Sequence, residues 1–394
     1  MRNLSREDGF TLTEMLVSTT VVLLVLGGAL TTFKNALAIN DSAAQLADAN
    51  QNLRAGTNQL VRDLLMAGRI IGTEGIAMPT GAGITFARPG PTNLTFDLIN
   101  DGDPTFQLPS ITTGYHLGPT INNSPNPCPT CTPTDIITIM TVDEFMPVVT
   151  TPPVGAPTAT EGAISADGTN VTLPANSLWL LGDTVNDTPK IKVGDLVLYV
   201  GATGNAIQTV TSIDATHIYF AANDPNDFFR FNQANATTPP CAVPPCATGR
   251  PLGAMKGKPL ATDPRTAPSV PVTLFKALMI TYYVDNTTTP GTPRLTRVVN
   301  HFTPQALAGV VEDIDLTYDL YDGATNPTNV TSLPYTVGVA PNAVTYTSSQ
   351  IRKVNVHVGV RSEVMSKPMQ DYVRNHITTS VNVRSLAAVD KYPS

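Results

Sequence analysis

The chain has 394 residues, a formal net charge of −7 and charged residues at only 14%. Bulk electrostatics therefore offer no broad basic footprint for nucleic acid. Thirty-four prolines among abundant Thr, Asn, Val and Gly favour strands and turns over helices in the body of the chain.

Residues 1–9 are a short polar leader ending at Gly9, followed at once by Phe10-Thr11-Leu12-Thr13-Glu14 and an apolar run. An ordinary secretory signal places its small-residue cleavage site after the apolar core, whereas here the Gly-Phe junction precedes it. A cut at that junction leaves the apolar helix on the mature protein. From Met15 to Phe33 there is no charge, and about 20 uncharged residues match the hydrocarbon thickness of a bilayer. Glu14 sits at the edge of this span, where a carboxylate is costly unless paired and is a functional candidate by default.

Gly9-Phe10-Thr11-Leu12-Thr13-Glu14-Met15-Leu16 resembles the class III signal of type IV prepilins. The resemblance implies cleavage between Gly9 and Phe10 by a prepilin peptidase, methylation of the new Phe10 amine and assembly into a filament. It also implies that Glu14 meets the N-terminal amine of a neighbouring subunit and sets axial register. The leader departs from the usual basic pattern, since Glu7 and Asp8 offset Arg2 and Arg6. Two plainer readings stay open: Ala36-Leu37-Ala38 as an ordinary signal-peptidase site giving an Ile39 start, and an uncut membrane anchor.

Ala43, Leu46, Asn50, Leu53, Thr57, Leu60, Leu64 and Ala67 alternate spacings of three and four, the period of one helix face. The expectation is one helix over 10–71, with 10–33 as transmembrane or filament core and 34–71 as an amphipathic half packed on a head. Gly72 and Gly75 supply its stop. Gly27-Gly28 reads either as an ordinary feature of membrane helices or as a hinge.

Roughly 320 residues remain for a β-rich head over 72–394, ample for a buried core. Within it, 122–271 reads as an insertion or subdomain: Lys192–Tyr199 and Ile213–Phe220 suggest strands. Pro- and Thr-rich stretches at 122–134, 150–160 and 237–271 read as loops. Cys128 and Cys131, then Cys241 and Cys246, form two close pairs. Disulfides are the default if the head lies outside the cytoplasm; a four-thiolate zinc site is the metal alternative. Asp313, Asp315 and Asp319 are candidate calcium ligands, with Asp224, Asn226 and Asp227 as a weaker group. Alternation explains the first three more simply as the solvent face of a strand.

Toward the C-terminus, Ala277–Val284 and Leu295–Val299 read as a hairpin across Pro290-Gly291. Ile314–Leu320 and Ile351–Arg361 alternate as half-buried strands, with His357 facing outward, and Val381 and Val383 begin a last short strand. Tyr282-Tyr283-Val284, Leu295-Thr296-Arg297, the 307–314 segment and Val354–Ser362 resemble the C-terminal half of the PilW family of minor pilins. The pseudopilin that caps the type II secretion filament is similar too.

The resemblance implies an α+β pilin-like fold, with a long N-terminal helix on an antiparallel sheet. It implies a bacterial inner-membrane protein with a periplasmic head, later in a pilus, whose partners are other pilins, the prepilin peptidase and the membrane. It also implies a structural role, with a tip adhesin or DNA-uptake receptor as the binding alternative. No Walker-type, dinucleotide, Gly-x-Ser-x-Gly or His-Glu-x-x-His pattern occurs, and His116, His217, His301, His357 and His376 are dispersed. The reading is of a non-enzyme without cofactors.

Overall fold

The structure is a computed structural model, described over residues 10–71, 75–78, 85–91, 94–96, 107–121, 132–150, 162–165, 168–174, 176–182, 190–201, 204–232, 272–288, 291–365 and 371–383. It is an α+β arrangement, one long N-terminal helix laid on antiparallel sheets.

Helix α1 runs Leu12–Met66, 55 residues without a proline, or about 82 Å at 1.5 Å per residue. It begins at a capping box. The Thr11 hydroxyl accepts from the Glu14 N–H at 3.3 Å, and the Glu14 carboxylate accepts from the Thr11 N–H at 3.0 Å. Its end corrects the expected one. The helix stops at Met66, not Ile71, because the chain turns at Gly68, whose φ of +73° a residue without Cβ adopts freely.

Strands β1 (Ile76–Ala77), β2 (Gln107–Leu108), β3 (Ile111–Thr112), β4 (Ile137–Val142), β5 (Val149–Thr150), β6 (Ala163–Ile164) and β7 (Asn170–Thr172) come next, with the short helix α2 at Leu178–Leu181. Then follow β8 (Leu196–Gly201), β9 (Gly204–Thr209), β10 (Ser212–Ile213), β11 (His217–Tyr219), β12 (Thr273–Asp285), β13 (Arg294–Val299) and β14 (Gln305–Leu320). The last are β15 (Tyr335–Val337), β16 (Val344–Tyr346), β17 (Ile351–Arg361) and β18 (Arg374–Asn382). A ten-stranded sheet carries the order β18-β17-β14-β13-β12-β4-β3, with β5 and β8 attached along β12 and β9 paired to β8. A separate small sheet has the order β10-β11-β7-β6.

The β12–β13 hairpin and strand β17 lie where alternation puts them. The last strand differs from the expectation, since β18 begins at Arg374 and Val381 stands near its end. Its alternation is masked because only one side chain of the nine is fully buried. Of the 122–271 stretch, β4 and β8 pair with β12 inside the large sheet, while β6, β7, β10 and β11 make the small one.

The main core lies between α1 and the sheet. Leu53, Leu60 and Leu64 are at most 2% exposed and pack with Leu295, Ile314, Leu316, Val356 and Val358. Each such side chain contributes roughly 1.5–3 kcal/mol by leaving water. The buried face of α1 is Ala49, Leu53, Gly56, Thr57, Leu60, Asp63 and Leu64. Ala43 and Leu46, expected on it, are exposed because the fully buried face starts only at Ala49.

Candidate functional site

From Leu12 to Asp48 the helix is mostly exposed, about 55 Å of stem, and the head first reaches it near Gln45, whose side-chain oxygen is buried. Leu12 is 81% exposed and Leu24 72%, and Ala38, Ser42 and Gln45 alone in this stretch are half-buried. The apolar surface of residues 12–33 is too large to be stable in water and marks a site covered by lipid or by other protein. The helix is long and apolar enough to cross a membrane.

Its hydroxyls suit that setting. Ser18 donates to the Met15 carbonyl at 3.1 Å, Thr19 and Thr20 to the Leu16 carbonyl at 3.0 and 2.7 Å, Thr32 to the Gly28 carbonyl at 2.9 Å, and Thr31 to that of Gly27. Each polar hydrogen is satisfied within the helix, as hydrocarbon requires. Around Gly27 and Gly28 an added Cβ would meet nothing within 4 Å. No contact inside this chain therefore demands a glycine there.

Phe10 begins the described chain and is exposed; Gly9 lies outside the described residues. Glu14 is exposed and held by Thr11, whose hydroxyl donates to the Glu14 carboxylate at 2.8 Å as well. Before any partner arrives, the carboxylate is thus oriented at the helix start, where it also favours the macrodipole.

At the other end the stem is seated by a polar contact that the apolar pattern hid. Asp63, on the buried face of α1, accepts from the Tyr282 hydroxyl at 2.6 Å, from Arg297 Nε at 2.7 Å and from Gln59 Nε2 at 3.1 Å. Burial, then the adjacent Asp63 charge, pushes the Tyr282 hydroxyl far above its ordinary range, so it stays protonated and donates. A carboxylate one place before Leu64 in a stripe of Leu60 and Leu64 was the available signal. Gly56 completes the seat: its added Cβ would lie 2.9 Å from the Ala308 Cβ, so the helix backbone packs directly on the side chains of Ala308 and Leu295.

The three acidic candidates of β14 do not all converge: Asp313 and Asp315 lie together with Asp135 nearby, and Asp319 stands apart. Asp319 is ion-paired to Lys353 at 2.7 Å and accepts from the Asn329 N–H. It is four residues from Asp315, about 13 Å along a strand. Asp313 is half-buried, and burial followed by the nearby Asp315 pushes its carboxyl up to about 6. Among the described residues no group of three His, Cys, Asp or Glu side chains is arranged to hold a metal.

Asp224 closes a turn by accepting from the Asn226 N–H, and Asp227 accepts from the N–H groups of Phe231 and Asn232. Cys128, Cys131, Cys241 and Cys246 lie outside the described residues.

His357 is half-buried on the polar side of β17, beside the Thr378 hydroxyl at 3.0 Å. Sequence spacing keeps the histidines apart, yet the β17–β18 register brings His357 and His376 to a ring separation of 5.3 Å.

Residues 4–30 match the family model for the prokaryotic N-terminal methylation motif. The N-terminus is type IV pilin-like, a motif of structural subunits, and implies processing by a prepilin peptidase and contact with filament components. No curated protein and no solved structure matches the chain.

Proposed function

We propose that this chain is a minor pilin of a type IV pilus, similar to the PilW family, that waits in the inner membrane and primes or caps the filament from its tip. The observation that carries the reading is the free apolar stem, which lies after the Gly9-Phe10 junction and carries the methylation motif. Cleavage there retains the stem, and stems laid side by side bury the surface that the head leaves bare. Glu14 then exchanges its local Thr11 contact for the Phe10 amine of a neighbour, a charge-assisted pairing at the hydrocarbon edge. The wide head, built on a ten-stranded sheet, suits a low-copy position at the tip better than a repeating shaft.

Mass spectrometry of the mature N-terminus tests the reading. A methylated Phe10 start is the expected result; an Ile39 start overturns it.

A further inference from the structure

Lys276 of β12 holds its ammonium almost out of water. Its side chain is 9% exposed, and Nζ stands 3.2 Å from Asp195 Oδ2 and 3.9 Å from Asp143 Oδ2, on side chains 1% and 14% exposed. Three neighbouring segments bring these groups together. Lys276 lies opposite Val197 of β8, two places after Asp195, and on β12 the Lys276 carbonyl accepts from the Asp143 N–H at 2.8 Å. Val197 and Leu274, beside the lysine, belong to an apolar core.

The Asp195 carboxyl is held unevenly. Oδ2 accepts from the Lys192 N–H at 2.7 Å, while Oδ1 is buried and has no hydrogen-bond partner. A buried oxygen left unbonded is destabilising and calls for a cause. Here it is the oxygen that would depart if the amine were acylated.

We propose that Lys276 and Asp195 condense to an amide, a covalent tie between β12 and the entry to β8, with Asp143 as proton carrier. The ammonium first passes a proton to Asp195 Oδ1, leaving a neutral, nucleophilic amine and a carboxylic acid. Nζ attacks Asp195 Cγ, and the charge that develops on Oδ2 is held by the Lys192 N–H. Asp143 takes a second proton from the nitrogen and hands it to Oδ1, which leaves as water. An N–C bond replaces a C–O bond, and nothing is oxidised or reduced. The fold supplies the encounter, and exclusion of bulk water opposes hydrolysis of the product. The reaction is independent of the assembly role proposed above.

Peptide mass spectrometry tests it on the full chain, produced in cells, purified in detergent, denatured and digested with trypsin. The expected product is a branched peptide joining the segments that carry Lys276 and Asp195, one water lighter than their sum and uncut after Lys276. Separate peptides overturn the proposal, as does a branch that fragmentation maps to Asp143.

Two variants sharpen the assignment. Lys276→Arg keeps the charge without the amine and should lose the branch; a branch that persists overturns the role of Lys276. Asp143→Asn keeps the size without the proton carrier, and the joined fraction in freshly made chain should fall about tenfold or more. An unchanged fraction overturns the role of Asp143. If either variant fails to fold, the wild-type digest still decides.

Discussion

Asp63 shows how one polar residue fixes where a long helix sits. Its carboxylate is nearly enclosed and meets Arg297 and Tyr282 at 2.7 and 2.6 Å, so it specifies the register of α1 on β12 and β13. Removing it leaves Arg297 buried without its carboxylate. For Asp63→Ala we expect a loss of about 3–5 kcal/mol, read by urea unfolding in detergent. Asp227 gives the pH counterpart. Burial pushes its carboxyl up to about 6, well above the ordinary aspartate range, against the backbone N–H bonds that oppose the rise. The folded chain therefore holds this proton more tightly than the unfolded one. Its contribution to stability is complete below pH ~4, declines as pH rises from about 4 to 6, and is gone above, by up to about 3 kcal/mol. Asp227→Asn should flatten that window in unfolding curves taken across pH 4–7.

At the scale of elements, the contact of α1 with β14 depends on a close approach at Gly56. Ala308 and Leu295 already stand 2.9 and 3.2 Å from the position a Cβ would take. Gly56→Leu forces helix and strand apart, and we expect a loss of about 1–3 kcal/mol from overpacking, visible as a lower thermal midpoint. The elements themselves were unevenly legible in the sequence. α1, β14 and β17 have long runs with one period, so 3.6-residue and two-residue alternation expose them, while β12 and β13 are read as apolar runs joined across a Pro-Gly turn. β18 was placed late because its outward residues are polar and its inward ones include Asn375 and Thr379, which a binary pattern does not count as core. The stop at Gly68 was overlooked for Gly72 because the apolar period continues to Ile71, which is buried but no longer helical.

For the whole molecule, the apolar stem of residues 12–33 is separable in energy from the head, since α1 meets the head only from about residue 42 onward. A chain lacking residues 1–33 should therefore unfold at the same midpoint, within a degree or two, as the full chain in detergent. Scanning calorimetry reads this, and a large drop would mean that the free stem supports the head. The same geometry explains how much of the candidate site could be read early. The Gly9-Phe10 junction, the uncharged span and Glu14 are contiguous, so local order alone reveals them. The Asp63 seat joins residues more than two hundred positions apart, and the place of β18 in the sheet is known only once the strand order is.

By itself the sequence determined what is local: an apolar rod placed after the Gly9-Phe10 junction, its capping carboxylate, and the alternation of the long strands. Each follows from the chemistry of near neighbours and from solvent preference, which do not need the fold. Only the tertiary structure decided where the rod leaves the head, which carboxylate is buried with an arginine, and how the strands are ordered in the sheet. Those depend on distant segments meeting, and on backbone groups whose pairing no side-chain pattern records.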